Sequence, residues 1–144
     1  MSRFSVDTNV IVAIAWDGHP DHVVATGDLE RRLSAGATMV VPAHVLVESY
    51  SVLTRIPAPF RLSPADAVAF LEDLVSNAAV TNLQADAYLP LLREAAQARV
   101  TGGRIHDMLI AAASFAAEAD VLLTFNTRDF VELGFDLDVR EPSA

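Results

Sequence analysis

Short runs of apolar, often β-branched residues alternate along this chain with longer stretches whose apolar positions recur at helical spacing. Phe4 to Val6 reads as a first strand, and Asn9 to Trp16 as a helix that Asp7, Thr8 or Asn9 could cap. Pro20 to Leu33 reads as a second helix, ended by Gly36. Thr38 to Val41 is a buried strand stopped by Pro42, and Ala43 to Arg55 is helical with Leu46, Tyr50 and Leu53 on one face. The stretch PAPFRL is a loop. Ser63 then starts a helix as its cap, with Pro64 at the first position and Asp66 in the first turn; it runs to Asn77. Val80 to Leu83 is the third strand and Asp86 to Ala98 a helix. Thr101-Gly102-Gly103 breaks the chain before a helix over Ile105 to Ala119. Val121 to Thr124 is the fourth strand and Leu137 to Arg140 a short fifth.

Strands that alternate with helices predict an α/β fold in which a mostly parallel sheet is covered on both faces, with right-handed crossovers. The 144 residues suit one domain, 1–144, and no repeat, low-complexity tract or linker divides them. A hydrophobic fraction of 52% is that of a globular chain. The apolar runs are interrupted or too short to span a bilayer. The start MSRFSVD carries no secretory apolar region, which implies a cytoplasmic protein.

There is no cysteine, so disulfides, thiolate chemistry and Cys-based zinc sites are excluded. All ten basic residues are Arg, so mechanisms that need Lys are excluded as well. The net charge of −9, with a pI near 4.7, argues on its own against nucleic-acid binding. That argument weakens if acids hold a metal ion, because the bound cation changes the local sign.

Four acids change the picture: Asp7, Glu48, Asp107 and Asp129, within FSVDTNVIV, HVLVESYSVL, GRIHDMLIAAA and VLLTFNTRDF. A carboxylate beside apolar sequence is costly to desolvate unless a cation compensates it. Each has an ordinary explanation: Asp7 as a helix cap, Asp107 at the positive end of a helix dipole, Asp129 in an Asx-turn. Glu48, inside a helix, is the hardest to explain so. In a parallel sheet, ligands bind beyond the carboxyl ends of the strands, and all four acids fall where that edge is expected. Clustered carboxylates repel one another, and a hard divalent ion removes the penalty. Acid-rich chemistry without Lys or Cys suits phosphodiester hydrolysis.

VDTNV at the end of the first strand, a Glu in the helix after the second, GRIHD opening a late helix and LLTFNTRDF together resemble the PIN-domain ribonucleases, and among them the VapC toxins of bacterial toxin–antitoxin pairs. The resemblance spans nearly the whole chain. It implies a three-layer α/β/α sandwich with a five-stranded, mostly parallel sheet, and Mg2+- or Mn2+-dependent cleavage of RNA. Asp7, Glu48 and Asp107 match the family's three acidic positions. The fourth falls within the last motif, where Asp129 and Asn126 both qualify and Asp129 is preferred. Thr8, Asn9, Thr124 and Asn126 would orient the carboxylates or water, and Arg104 and Arg128 could hold RNA phosphates. The resemblance also implies a homodimer and a VapB-like antitoxin partner. An Arg of that partner would enter the acidic site, and an apolar helix would dock near Val10, Ile14 and Trp16. The alternatives are a PIN-like interaction module without nuclease activity, or a housekeeping nuclease with no antitoxin.

The histidines carry less. His106 adjoins Asp107, but helix neighbours point apart, so it reads as structural. His44 reads as a surface residue at a helix start. His19 and His22 bracket a turn without a convincing zinc spacing. A receiver domain would need a Lys. A haloacid-dehalogenase-like site would need an Asp where Asn9 stands. A P-loop is absent.

Overall fold

The computed structural model describes residues 2–143. Five strands form one sheet: β1 (Arg3–Val6), β2 (Thr38–Pro42), β3 (Ala79–Thr81), β4 (Val121–Leu123) and β5 (Asp138–Arg140). Their order is β3-β2-β1-β4-β5, and every neighbouring pair is parallel. The helices are α1 (Thr8–Ala15), α2 (His22–Ser34), α3 (Ala43–Arg55), α4 (Pro64–Val75), α5 (Tyr88–Gln97), α6 (Arg104–Ala116) and the single turn α7 (Arg128–Val131). This is the α/β/α architecture, with a sheet that is wholly rather than mostly parallel.

Burial follows strand position. Phe4, Ser5 and Val6 of β1, Met39 to Val41 of β2 and Val121 to Leu123 of β4 are all buried, as expected of central strands covered on both faces. The edge strand β3 is half-exposed, and β5 carries Asp138 and Arg140 paired at 2.7 Å. Charge on an edge strand discourages further strand pairing. A second apolar cluster, Leu91, Ala95, Met108 and Ala112, joins α5 to α6.

Several ends are set by local chemistry. Ser63 Oγ accepts from the Asp66 N–H at 3.1 Å. After α2, Gly36 adopts φ +89°, and the N–H groups of Gly36 and Ala37 donate to the carbonyls of Leu33 and Arg32, each at 3.0 Å. That left-handed closure suits glycine.

Other expectations are corrected. The third strand is Ala79–Thr81, not Val80–Leu83, because three weakly buried edge residues carry little periodic signal. A 3-10 turn, Ala85–Ala87, precedes α5, where one continuous helix was expected. Arg128–Val131, to which the sequence reading gives no element, winds into α7. In α3 the buried stripe is Val45, Ser49 and Leu53, and Tyr50 is exposed.

Candidate active site

The chain leaves β1 and β4, adjacent strands in the centre of the sheet, toward different neighbours: β1 connects to β2 on one side and β4 to β5 on the other. Such a switch point opens a crevice beyond the strand carboxyl ends. Asp7 and Thr124 are the first residues past these two strands. Asp7 extends the ladder, its N–H donating to Leu123 O at 2.9 Å, and then caps α1.

Asp7 is buried, with 6% of the residue exposed. One oxygen, Oδ1, accepts the Thr8 N–H at 2.7 Å; the other, Oδ2, accepts the Thr124 hydroxyl at 2.8 Å and a long contact from Asn9 Nδ2 at 3.4 Å. Asn9 is itself fixed, because its Oδ1 accepts the Phe125 N–H at 3.1 Å and its Nδ2 donates to Thr124 Oγ1 at 3.2 Å. Thr124 is fully buried and also accepts the Asn126 N–H at 3.0 Å. Capping therefore explains one oxygen of Asp7, while a preset network positions the other.

The remaining acids come from three separate elements. Glu48 lies in the second turn of α3, and its Oε1 accepts the Thr8 hydroxyl at 3.3 Å. Asp107 lies in the first turn of α6 and Asp129 in α7. Their proximity is visible in their effect on Asp7 and Asp107. Burial, the largest influence, raises the pKa of Asp7; the bonds from Thr124 and Thr8 lower it, and Glu48 and Asp129 raise it again. Asp107 is pushed up from 3.8 to about 6, first by burial and then by Asp7, Asp129 and Glu48, with only Arg104 opposing. Each carboxylate thus adds to a shared negative potential.

The other candidates differ in placement. Arg104 lies at the start of α6 and also approaches exposed Glu132 at 3.8 Å. Exposed Arg128 and Asp129 line an open cleft of about 220 Å³ with Asn126 and Glu141. Asn126 enters the network through its backbone: its N–H reaches Thr124, and its carbonyl accepts the Asp129 N–H at 3.0 Å. Asp129 raises the pKa of both Asp7 and Asp107.

Two histidines lie beside these acids, a contact that the separate readings of His44 as a surface residue and His106 as structural do not include. His44 Nε2 and His106 Nδ1 are 2.9 Å apart, and His44 Nε2 is 3.7 Å from Glu48 Oε1. The His44–Glu48 spacing of four was legible, but nothing local to either helix signals the contact between α3 and α6. Val10 is another correction: at 2% exposure it belongs to the core and cannot meet a partner. Trp16 is partly exposed and stacks at a tilt on Phe60, ring centroids 4.2 Å apart.

Comparison with known proteins adds an independent line. The model of the PIN domain family matches residues 5–136. Ribonuclease VapC40 of Mycobacterium tuberculosis is 38% identical over 123 residues, which cover 85% of this chain and 84% of that protein. Among solved structures, VapBC2 from Rickettsia felis, bound to a promoter DNA fragment, superposes with a TM-score of 0.69 at 22% identity, over 96% of this chain and 98% of that one. Mycobacterium tuberculosis VapC20, a toxin that cleaves the sarcin-ricin loop, gives 0.68 at 22% identity, covering 92% and 95%. These two likenesses concern the fold.

Proposed function

The chain belongs to the PIN domain family, and we propose that it is a divalent-metal-dependent endoribonuclease, the toxin of a toxin–antitoxin pair. The observation that supports this reading is the convergence of Asp7, Glu48, Asp107 and Asp129 at the sheet's switch point, where Glu48 and Asp129 raise the pKa of both Asp7 and Asp107. A relative named as a ribonuclease, matched over most of both chains, supports the same chemistry.

The donor set fits a hard cation. It consists of carboxylate oxygens, one of them buried, with no nearby thiolate to favour a softer ion. Asp7, Glu48, Asp107 and Asp129 would hold Mg2+ or Mn2+. Such an ion supplies an activated water and charge stabilisation for a phosphodiester when bound.

The chain's own residues do the rest. Thr8, Thr124 and Asn9 fix the Asp7 carboxylate before any ligand arrives, which removes a reorganisation cost. Asp107, its pKa pushed up to about 6 by burial and by its acidic neighbours, carries a repulsion that a bound cation would remove. Arg104 and Arg128 flank the acids and provide planar donors for RNA phosphates.

Control follows from the same electrostatics. A VapB-like antitoxin would place an Arg among the carboxylates and an apolar segment near Trp16 and Phe60, which line a cleft of about 300 Å³. The chain pairs as a homodimer in this reading, and Val47, Leu89 and Leu92 offer exposed apolar surface on helices. Among the described residues no helix is long and apolar enough to cross a membrane.

The direct test is cleavage of total cellular RNA by purified protein with Mg2+, with Mn2+ and with chelator, beside Asp7→Asn. Cleavage that depends on the metal and is lost in the variant is expected; full cleavage by Asp7→Asn under saturating Mg2+ would refute the assignment. The toxin role is tested by expression. Growth should stop with this chain alone and recover with its genomic neighbour. Four acids gathered around one crevice are more than an interaction module without nuclease chemistry requires.

A further inference from the structure

We propose that His44, Glu48 and His106 form a second cation site, for a borderline transition ion of the Zn2+ class, at the rim of the acidic cluster. His44 and Glu48 are four residues apart on α3, a spacing that puts both side chains on one face. His106 arrives from the first turn of α6. One donor atom from each lies within 4.8 Å of the other two. Two nitrogens that share an ion at about 2.1 Å lie roughly 3.0–3.4 Å apart, close to the 2.9 Å between His44 Nε2 and His106 Nδ1. An N–H···N bond would account for the two imidazoles. Glu48 Oε1 lies 3.7 Å from His44 Nε2, too long for a hydrogen bond, and accepts from Thr8 instead; an ion would replace the proton between the imidazoles and draw the carboxylate in.

The chemistry separates this site from its neighbour. The acidic cluster offers oxygens alone and suits hard ions, whereas two imidazoles and a carboxylate are a familiar ligand set for zinc. His106 is exposed and His44 and Glu48 partly so, which gives an ion a path and leaves coordination positions for water.

Glu48 belongs to both groups, since its Oε1 also accepts from Thr8 at 3.3 Å. An ion held by the histidines draws Glu48 away from the acidic cluster. Zn2+ is therefore an inhibitor of Mg2+-supported cleavage. This consequence rests on the nuclease reading; the binding does not.

The test titrates metal-free protein with Zn2+ by calorimetry in excess Mg2+, and repeats it with Co2+ followed by visible absorption. One equivalent of Zn2+ should bind, with nitrogen-ligand bands for Co2+. His44→Ala and His106→Ala should each weaken Zn2+ by about tenfold or more, since a direct ligand matters at least as much as the groups that support one. Asp129→Asn should bind Zn2+ as the parent does. Circular dichroism checks that the variants fold, and the two histidines lie on separate helices, so one misfolded variant leaves the other informative. Unchanged Zn2+ binding in the folded histidine variants would overturn the site, as would loss in Asp129→Asn alone. In the cleavage arm, Zn2+ should inhibit the parent and leave His44→Ala equally active with and without it. Zn2+ bound without inhibition would overturn the regulatory step. Absence of RNA cleavage under every condition would instead overturn the nuclease reading, with the calorimetry still deciding the site.

Discussion

Asp7 and Asp28 are both buried carboxylates, 6% and 0% exposed, and they have opposite surroundings. Asp28 lies in α2 with Arg31 Nη2 at 2.8 Å, Arg32 Nε at 2.6 Å and the Ser143 N–H at 2.8 Å. Its charge is answered from within, and the pairing ties the end of the chain to α2. Asp7 has a hydroxyl, a backbone N–H and an amide as partners, and further carboxylates beyond them. A buried charge needs a counter-charge. At Asp28 the fold supplies it; at Asp7 the fold withholds it, so a cation from outside can. The first arrangement serves stability and the second function.

The sharpest way to break this contrast is to neutralise each acid in turn. Asp7→Asn should lower RNA cleavage by roughly a hundredfold or more, because loss of a direct ligand exceeds the cost of losing its supports. It should leave the melting temperature of metal-free protein unchanged or higher, since repulsion is relieved. Asp28→Ala should do the reverse. It strands two guanidinium groups and the Ser143 N–H, at about 2–4 kcal/mol; the lower part of that range reflects Arg31, which is half-exposed and can turn to water. Cleavage per folded molecule should persist. Urea unfolding and initial cleavage rates distinguish the two outcomes. A large loss of stability in Asp7→Asn would erase the distinction.

Added metal is the next test. Mn2+ or Mg2+ at a hundredfold excess over its dissociation constant should stabilise the parent by about 2.7 kcal/mol. Asp28→Ala should gain as much and Asp7→Asn much less. Thermal melts with and without metal measure this directly. A parent that melts at one temperature in both would leave the acidic cluster without its cation.

A smaller effect concerns pH. Asp107 binds its proton at about 6 in the folded chain against 3.8 ordinarily. Between those values the folded state holds more protons than the unfolded one, so the stability of metal-free protein should fall as pH rises from about 4 to 6. Asp107 is only partly buried, so solvent screening keeps the change modest. The slope should flatten in Asp107→Asn and on adding metal. An identical slope in the variant would assign the pH dependence to other groups.

The smallest effect is expected from the support of Asp7. Thr124→Val keeps the shape and removes the hydroxyl that donates to Oδ2 at 2.8 Å. Cleavage should fall about tenfold, with the Mn2+ requirement shifted upward. Thr124→Ser, which retains the hydroxyl, should recover most of it.

The features legible along the chain are those that near neighbours decide. Ser63-Pro64 and Gly36 mark helix ends through bonds and dihedral angles within a few residues, and they appear where the chain predicts them. Fully buried strands such as β1 and β4 announce themselves as unbroken apolar runs. The acids were legible one at a time, each at the end of such an element. Tertiary structure decided which side chains share a charge. Asp7 and Thr124 meet because β1 pairs with β4, across 117 positions of chain. His44 meets His106 across 62, because α3 and α6 start beside one another. Periodicity and capping decay within a turn or two and carry no information over such separations. The edge strand β3 was misplaced and the turn α7 given no element for a related reason: so short, they are held by their neighbours more than by their own residues.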